Sequence, residues 1–241
     1  MARPAVCIAT IKGLNEHSVE LTAEQLSVLE GARGEFLRRC MRWLVDWGEA
    51  MGARRMVPLD NAHVLLPVPN QLMRGARPEA VQQYVEELRE FCRHSVAPQC
   101  YATVHTAFVT LDELDVPQND PEQVRLQREL ADLASAAGFI PTFTCAPYLV
   151  GNVPLKGEIC AWTESSAVVY ANSILGARTT RHGNESALAA ALVGWVPEFG
   201  VLLDEHRRGT LLVHVTTELK HSTDWGALGY FAGKIAGLGI P

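Results

Sequence analysis

The chain has 241 residues, 48% hydrophobic and 20% charged, enough for one large α/β domain or two small ones around a substantial core. A formal net charge of -6 disfavours non-specific binding to nucleic acid or anionic lipid. No apolar run approaches the roughly 20 residues of a membrane span, and the opening MARPAVCIATIKG lacks the apolar core of a secretory signal.

A flexible leader is expected over residues 1–20. A long helix then begins near Thr22, whose spacing to Gln25 fits a capping box. Leu26, Leu29, Phe36, Cys40, Leu44 and Trp47 follow at helical spacing, and Gly52 marks the end. Arg55 to Leu59 reads as a short strand leading into a turn, DNAHV, that carries His63. A second helix is expected from about Glu79 to His94, and Cys100 to Val104 reads as a strand. The next helix has Asp120 as cap and Pro121 at its first position. A strand from Ile140 to Thr144 ends at Cys145. Three more helices are expected, at about Glu164–Leu175, Ser186–Leu192 and Trp225–Ala236. Strands at Val201–Leu203 and Leu211–Val215 fall between the last two. Strands alternating with helices predict an α/β layered fold with mostly parallel pairing, where ligands gather at the carboxyl ends of strands. Cys145 and the His63 turn fall at such ends.

The six cysteines, at positions 7, 40, 92, 100, 145 and 160, form no CxxC pair, which excludes a zinc ribbon or a thioredoxin motif. Free thiols in a reducing, cytoplasmic setting are the expectation. Cys40 and Cys92 lie on apolar stripes and read as core. Cys145, in TCAP, is held on a stiff turn. It reads as a metal or cluster ligand, as a nucleophile if a histidine lies near, or as a structural thiol. One thiolate does not hold an iron–sulfur cluster, which usually takes three or four cysteines.

Glu164-Ser165-Ser166 opens a helix, where free backbone N–H groups and the helix dipole favour an anion. It reads as a carboxylate or phosphate pocket, or as an ordinary cap. Arg178 and Arg181 follow the helix end near Gly176. They could grip an anion as forks or serve as solvated C-cap partners. Asn172 reads as a pocket donor or an exposed residue. His63 reads as a general acid/base or substrate donor, or as an ordinary turn histidine. The glycines at 226, 229, 233 and 237 read as close helix packing.

These motifs, taken in order, resemble the aconitase X family, which includes phosphomevalonate dehydratase large subunits and bacterial hydroxyproline dehydratases. The resemblance covers about residues 21–241. It is carried by LTAEQLSVLEGARGEFLRRCMRWLVDWGEAMGARRMVPLDNAHV, by TCAPYLVGNVPLKGEICAWTESSAVVYANSILGARTTRHGNESALAAALVGWVPEFGVLLDEHR, and by DWGALGYFAGKIAGLGIP. It implies stacked α/β/α layers around an iron or iron–sulfur centre. It also implies a hydro-lyase that removes water from a small anionic hydroxy acid such as a hydroxyproline or phosphomevalonate. In the family the metal acts as a Lewis acid, and a serine from a small swivelling domain or subunit is the base. By resemblance Cys145 is a metal ligand and His63 matches a catalytic histidine. Asn61, Glu164, Ser165, Ser166, Asn172, Arg178, Thr179 and Arg181 match positions lining the cleft.

The chain departs from the family at several points. Asn61-Ala62-His63 replaces SAH, Cys160 brings an extra thiol, and His182-Gly183-Asn184-Glu185 replaces a glycine-rich turn. The family's other cysteine ligands lie in a second half that follows Pro241. The resemblance therefore implies an N-terminal half needing that second half and a small subunit. The alternative is a non-catalytic, ligand-binding remnant without a complete metal site. If half the fold is absent, apolar faces near residues 225–241 are expected to be uncovered.

Overall fold

A computed structural model describes residues 18–67, 77, 79–80, 82–86, 89, 97–107, 121–209 and 211–236. Cys7, Cys92 and Asp120 lie outside the described residues, as do most of the leader and the last five residues. Three residues of the expected leader, 18–20, are described. Val19 is buried, and Glu20 N–H donates to the Arg54 carbonyl at 2.8 Å.

The single long helix expected after Thr22 is two helices, α1 (Ala23–Leu29) and α2 (Glu35–Ala50). The Thr22–Gln25 capping box is present. The break falls at Gly31 and Gly34, whose φ values of 100° and 93° lie in the left-handed region that ends a right-handed helix. α2 buries Leu37, Met41, Leu44, Val45 and Gly48, a stripe one position off the one expected. Phe36, Cys40 and Trp47 flank it and are partly buried. Gly48 is the point of closest approach: a Cβ built there lies 2.7 Å from Pro197 Cβ. Alanine for glycine inside a helix ordinarily gains about 1 kcal/mol. Here overpacking reverses the sign, and Gly48→Ala is expected to lower stability by about 1–2 kcal/mol. Urea unfolding checks this, and a stabilised variant would refute the close packing.

Strand β1 (Met56–Pro58) pairs antiparallel with β6 (Trp195–Pro197) as a two-stranded ribbon. β6 was not foreseen. Its three residues follow Gly194, which caps the preceding helix in the left-handed region. The main sheet is parallel throughout, in the order β4-β3-β2-β5, with β2 at Asn61–Pro67, β3 at Tyr101–Ala107, β4 at Ile140–Pro141 and β5 at Cys160–Trp162. DNAHV is thus not a turn. Its last four residues, Asn61-Ala62-His63-Val64, lie within a central strand, and a strand buried on both faces shows no exposed polar side to betray it. β5 escaped notice for the same reason.

One face of this sheet is apolar. Ala62, Val64, Leu66, Ala102, Val104 and Ala161 join the main core with α2 and the helix Asn184–Val193. That helix, α5 in chain order, is buried from Ser186 to Val193, as an apolar helix between layers should be. α3 (Pro121–Ala136) packs beside β3 and β4. Leu126 and Leu130 meet Val85 from the partly described helical stretch near residues 79–89. The opposite sheet face, by alternation, carries Asn61, His63, Thr103, His105, Cys160 and Trp162.

The expected helix at Glu164–Leu175 is α4 (Ser165–Tyr170) continued by a wider π turn, Ala171–Leu175. Gly200–Leu202 is a 3-10 turn rather than a strand, because Gly200 takes φ 57°. Residues 211–215 form no strand either. They have no pairing partner among the described residues, and Leu212 is 84% exposed. The last helix, α6 (Ser222–Ala236), buries none of its residues, and its glycines 226, 229 and 233 meet nothing within 4 Å. Their expected role in close packing is not fulfilled within the described residues.

Candidate active site

Cys145 lies four residues beyond β4 on a loop with two local supports. Thr142 N–H donates to the Val104 carbonyl at 2.8 Å, and Ala146 N–H donates to Thr144 Oγ1 at 3.1 Å. Between them Phe143 takes φ 51°. Glu164 lies two residues beyond β5 with φ 69°. These are the two non-glycine residues at positive φ among the described residues, and both adjoin the same spot. Side chains in that region cost energy and cluster where structure holds a functional geometry.

That spot is a thiol–imidazole–carboxyl cluster. His105 Nε2 lies 3.4 Å from Cys145 Sγ, and a Glu164 carboxyl oxygen joins them with all ligand atoms within 4.8 Å of one another. Cys145 is exposed, Glu164 half-buried and His105 buried. His105 comes from the carboxyl-terminal part of β3, so three strand ends supply the three groups. His105 was not singled out from sequence. The signal was present: Thr103 and His105 alternate onto one face of a strand.

Burial sets the electrostatics of the cluster. Burial pushes the His105 imidazole down to about 4. Burial also raises the Cys145 thiol, helped by the neighbouring Glu164 charge, and raises the Glu164 carboxyl. Glu164 Oε1, His105 Nδ1 and Thr106 Oγ1 are buried without a hydrogen-bond partner among the described residues. A thiol raised in this way is a poor nucleophile, and a neutral imidazole so depressed is a poor base, which weighs against thiol catalysis. Glu164 is the N-cap of α4 without making a side-chain cap bond, so the ordinary-cap reading fails. Ser165 and Ser166 are exposed beside it.

The remaining sequence-predicted residues lie elsewhere or are engaged within the fold. His63 is fully buried. Its Nδ1 is 2.8 Å from Thr103 Oγ1, and the Trp162 ring meets it edge-on at 6.2 Å. Burial depresses the ring to about 3, with the His105 ring adding to that and the Thr144 backbone beside it opposing. His63 therefore supports the floor of the site rather than reaching into it. Asn61 is buried, donating to Asn152 Oδ1 at 2.6 Å and accepting from Trp162 Nε1 at 2.8 Å. Thr179 is buried against the Trp162 N–H and the Thr180 carbonyl. Asn172 donates to the Val168 and Thr179 carbonyls and accepts from Arg207 at 2.7 Å. Arg178 bonds the Leu202 carbonyl and pairs with the Asp204 carboxylate. Arg181 is exposed.

The cluster fits one metal ion. It offers a soft, a borderline and a hard donor, the last from a carboxyl whose Oε1 is buried without a hydrogen-bond partner among the described residues. The other described thiols do not extend it. Burial raises Cys40 to about 11, Cys100 to about 12 and Cys160 further still, and all three are partly or wholly buried.

A parallel sheet with such a cluster at its strand ends places the molecule among α/β domains that bind ligands where strand gives way to loop. The chain belongs to the aconitase X family: residues 18–205 match the family model described as the aconitase X first domain. The phosphomevalonate dehydratase large subunit of Methanothermobacter thermautotrophicus is 41% identical over 95% of this chain and 55% of its own length. The cis-3-hydroxy-L-proline dehydratase of Hypocrea jecorina is 31% identical over 93% of this chain and 36% of its own. The crystal structure of Thermococcus kodakaraensis aconitase X in its holo-form superposes with a TM-score of 0.74 at 36% identity, over 91% of this chain and 53% of that one. The chain thus spans about half the length of the phosphomevalonate dehydratase large subunits it matches. Among the described residues no helix is long and apolar enough to cross a membrane.

Proposed function

We propose that this chain is the first half of a dehydratase that eliminates water from a small anionic hydroxy acid, such as phosphomevalonate or a hydroxyproline. The observation that carries the reading is the Cys145–His105–Glu164 cluster at the strand ends of an aconitase X fold. Cys145 would hold an iron centre, with His105 and Glu164 beside it. Iron bound there would supply Lewis-acid assistance to the departing hydroxyl. The chain's own contribution is to bind and orient. The exposed Ser165 and Ser166 hydroxyls and the Arg181 guanidinium are free to meet the substrate's anionic group. Asn61, Asn172, Arg178 and Thr179 fix the walls from behind. The base and further cysteine ligands would come from a small subunit and from the family's second half.

The surface fits that division. Trp225, Tyr230, Phe231 and Ile235 of α6 are exposed, as are Leu211, Leu212, Val213 and Val215. Exposed apolar residues in such number suit an interface, and the second half is the covering partner proposed. A ligand-binding subunit without chemistry is the second reading. It is favoured by the internal engagement of Arg178 and Asn172, two of the predicted substrate contacts.

The test is reconstitution. The chain is combined under anaerobic conditions with the second half and small subunit of a phosphomevalonate dehydratase relative, and loss of water from phosphomevalonate and from cis-3-hydroxyproline is followed by mass spectrometry. Turnover that disappears in Cys145→Ser is the expected result. An assembled complex that binds either acid but eliminates water from neither would sink the enzyme reading and leave the binding one.

A further inference from the structure

α4 carries Glu164 at its N-cap and the exposed Ser165 and Ser166 in its first turn. It is six residues long, well short of the roughly 12–15 at which a helix begins to hold itself together in water. Its buried face, continued by Ala171, offers only the small side chains of Ala167, Val168 and Ala171 to the layer beneath. Something else must fix its direction. We propose that Arg207 does so. It is a positioning residue that sets the tilt of α4, and with it the place of Glu164, Ser165 and Ser166, by bonding Asn172 just beyond the far end of the helix. The proposal deepens the dehydratase reading and rests on it for what those three groups do.

The Arg207 guanidinium meets one residue twice. Nη1 donates to Asn172 Oδ1 at 2.7 Å and to the Val201 carbonyl at 3.2 Å, and Nη2 donates to the Asn172 carbonyl at 3.1 Å. Asn172 lies in the π turn that continues α4, and turns of that kind are frequent at functional sites. Its amide passes the hold on in two directions. Towards the helix, Nδ2 donates to the Val168 carbonyl at 3.0 Å. Towards the sheet, Nδ2 donates to the Thr179 carbonyl at 2.8 Å and Oδ1 accepts from the Thr179 N–H at 3.3 Å. Thr179 Oγ1 then accepts from the Trp162 N–H at 3.3 Å, at the end of β5 and two residues before Glu164. Both arms of the linkage thus return to the start of α4, one through the helix and one through the strand that feeds it.

Leverage gives the size of the effect. Asn172 stands eight residues beyond Glu164, about 12 Å along a helix that rises about 1.5 Å per residue. A tilt of about 10° about Asn172 moves the Glu164 end by about 2 Å. A misplacement of about 1 Å at a reacting group costs on the order of a hundredfold in rate. The chemistry of the contact calls for arginine. A planar fork donates to a side-chain oxygen and two carbonyls at once, whereas an ammonium is a point donor on a flexible stem. The placement is also costly. Burial pushes the Arg207 guanidinium below its ordinary value, the Arg178 charge adds to that, and Asp204 opposes. Arg178 directs its own donors to the Leu202 carbonyl and the Asp204 carboxylate. It ties the turns at 200–207 to the segment after the helix, while Arg207 ties the same turns to the π turn itself.

The test compares Arg207→Ala and Arg207→Lys with Arg55→Ala, which breaks a two-point ion pair with Glu198 beside the β1–β6 ribbon and serves as the structural control. Crystal structures of the full chain come first. In Arg207→Ala the Glu164 carboxyl is expected to shift by about 1 Å or more against the sheet, the scale at which rates respond. An α4 that stays in place overturns the proposal. Kinetics of the complex reconstituted with the second half and small subunit come next. Here kcat/KM for the acid should fall by about a hundredfold, with KM raised, and Arg207→Lys should lie between that and the wild type. An arginine that only holds the fold together would lower the active fraction, and so the apparent kcat, while leaving KM unchanged. That pattern in Arg207→Ala overturns the proposal too. Arg55→Ala should keep the wild-type KM. If Arg207→Ala does not fold by circular dichroism, Arg207→Lys carries both measurements. Failure of the dehydratase reading shows separately: a wild-type complex without turnover removes that reading, and the displacement of Glu164 then decides this one alone.

Discussion

Lowering the pH from 7 to 5 is expected to reduce the stability of this chain by several kcal/mol, enough to bring it to the edge of unfolding. Three histidines are buried among the described residues. His63 is held down to about 3, His105 to about 4 and His182 to about 3, in each case chiefly by burial. His182 lies edge-on to Trp47 at 5.1 Å, with only Ser186 near Nδ1. In the unfolded chain each imidazole takes a proton near pH 6.5. Folded pKa values below that mean the unfolded state binds more protons as pH falls. Stability is therefore fully present above about pH 6.5 and is lost on the way down to about pH 4. Each group costs up to about 1.4 kcal/mol per pH unit in that window, and three together about 4. Glu164 works the other way. Its raised carboxyl takes a proton in the fold before it does in the unfolded chain, which offsets up to about one of the three. The net loss of roughly 3–4 kcal/mol per unit is large against a typical total of about 5–15 kcal/mol. Thermal unfolding followed from pH 7 to pH 5 checks this. A midpoint that stays flat would mean the three rings are not held neutral.

What the sequence made legible and what it hid divide along physical lines. The capping box at Thr22, Pro121 opening α3, and the alternation of strands and helices are local signals, and the structure carries them. The family signature was legible as well, because long motifs in order leave little to chance. The helix break at Gly31 and Gly34 was missed, since the apolar spacing of Leu29 and Phe36 runs across it. β2 and β5 were missed because strands buried on both faces carry no alternating pattern. The exposed 211–215 stretch read as a strand on composition alone, yet a strand needs a neighbour to pair with. The site divides in the same way. Cys145 and Glu164 stood out by their local motifs. His105 did not, because its partner lies 40 residues away and only the pairing of β3 with β4 brings them together. Asn172 and Arg178 bond neighbouring carbonyls, which sequence does not announce, because a polar side chain reads identically whether it faces a substrate or the backbone.

Asn152→Ala is expected to destabilise the fold by about 3–5 kcal/mol, more than any single change at the exposed edge of the site. Asn152 is fully buried and ties β2 and β3 together. It accepts from Asn61 Nδ2 at 2.6 Å, and donates to Thr103 Oγ1 at 2.8 Å and to the Ala62 carbonyl at 3.2 Å. Its own N–H donates to the Pro147 carbonyl, which anchors the loop following Cys145. The network extends to Trp162 through Asn61 and to His63 through Thr103. Thr103 Oγ1 can accept from both Asn152 and the His63 Nδ1–H while giving its own proton to the Ala62 carbonyl at 3.4 Å. That arrangement assigns the Nδ1–H tautomer to His63 and leaves a bare Nε2, consistent with the unpartnered atom there. Truncating Asn152 strands the Asn61 amide and half of Thr103's partners in a dry interior, and each stranded group costs about 1–3 kcal/mol. Aspartate is no rescue, since it keeps the acceptor for Asn61 but loses both donors and buries a charge. The decisive measurement is a double-mutant cycle with Asn61→Ala, read by urea unfolding. Asn152→Ala alone strands Asn61, so adding Asn61→Ala should cost clearly less than it does in the wild-type background. Simple additivity, or a single-variant loss under about 1 kcal/mol, would show that the residues do not act as one network.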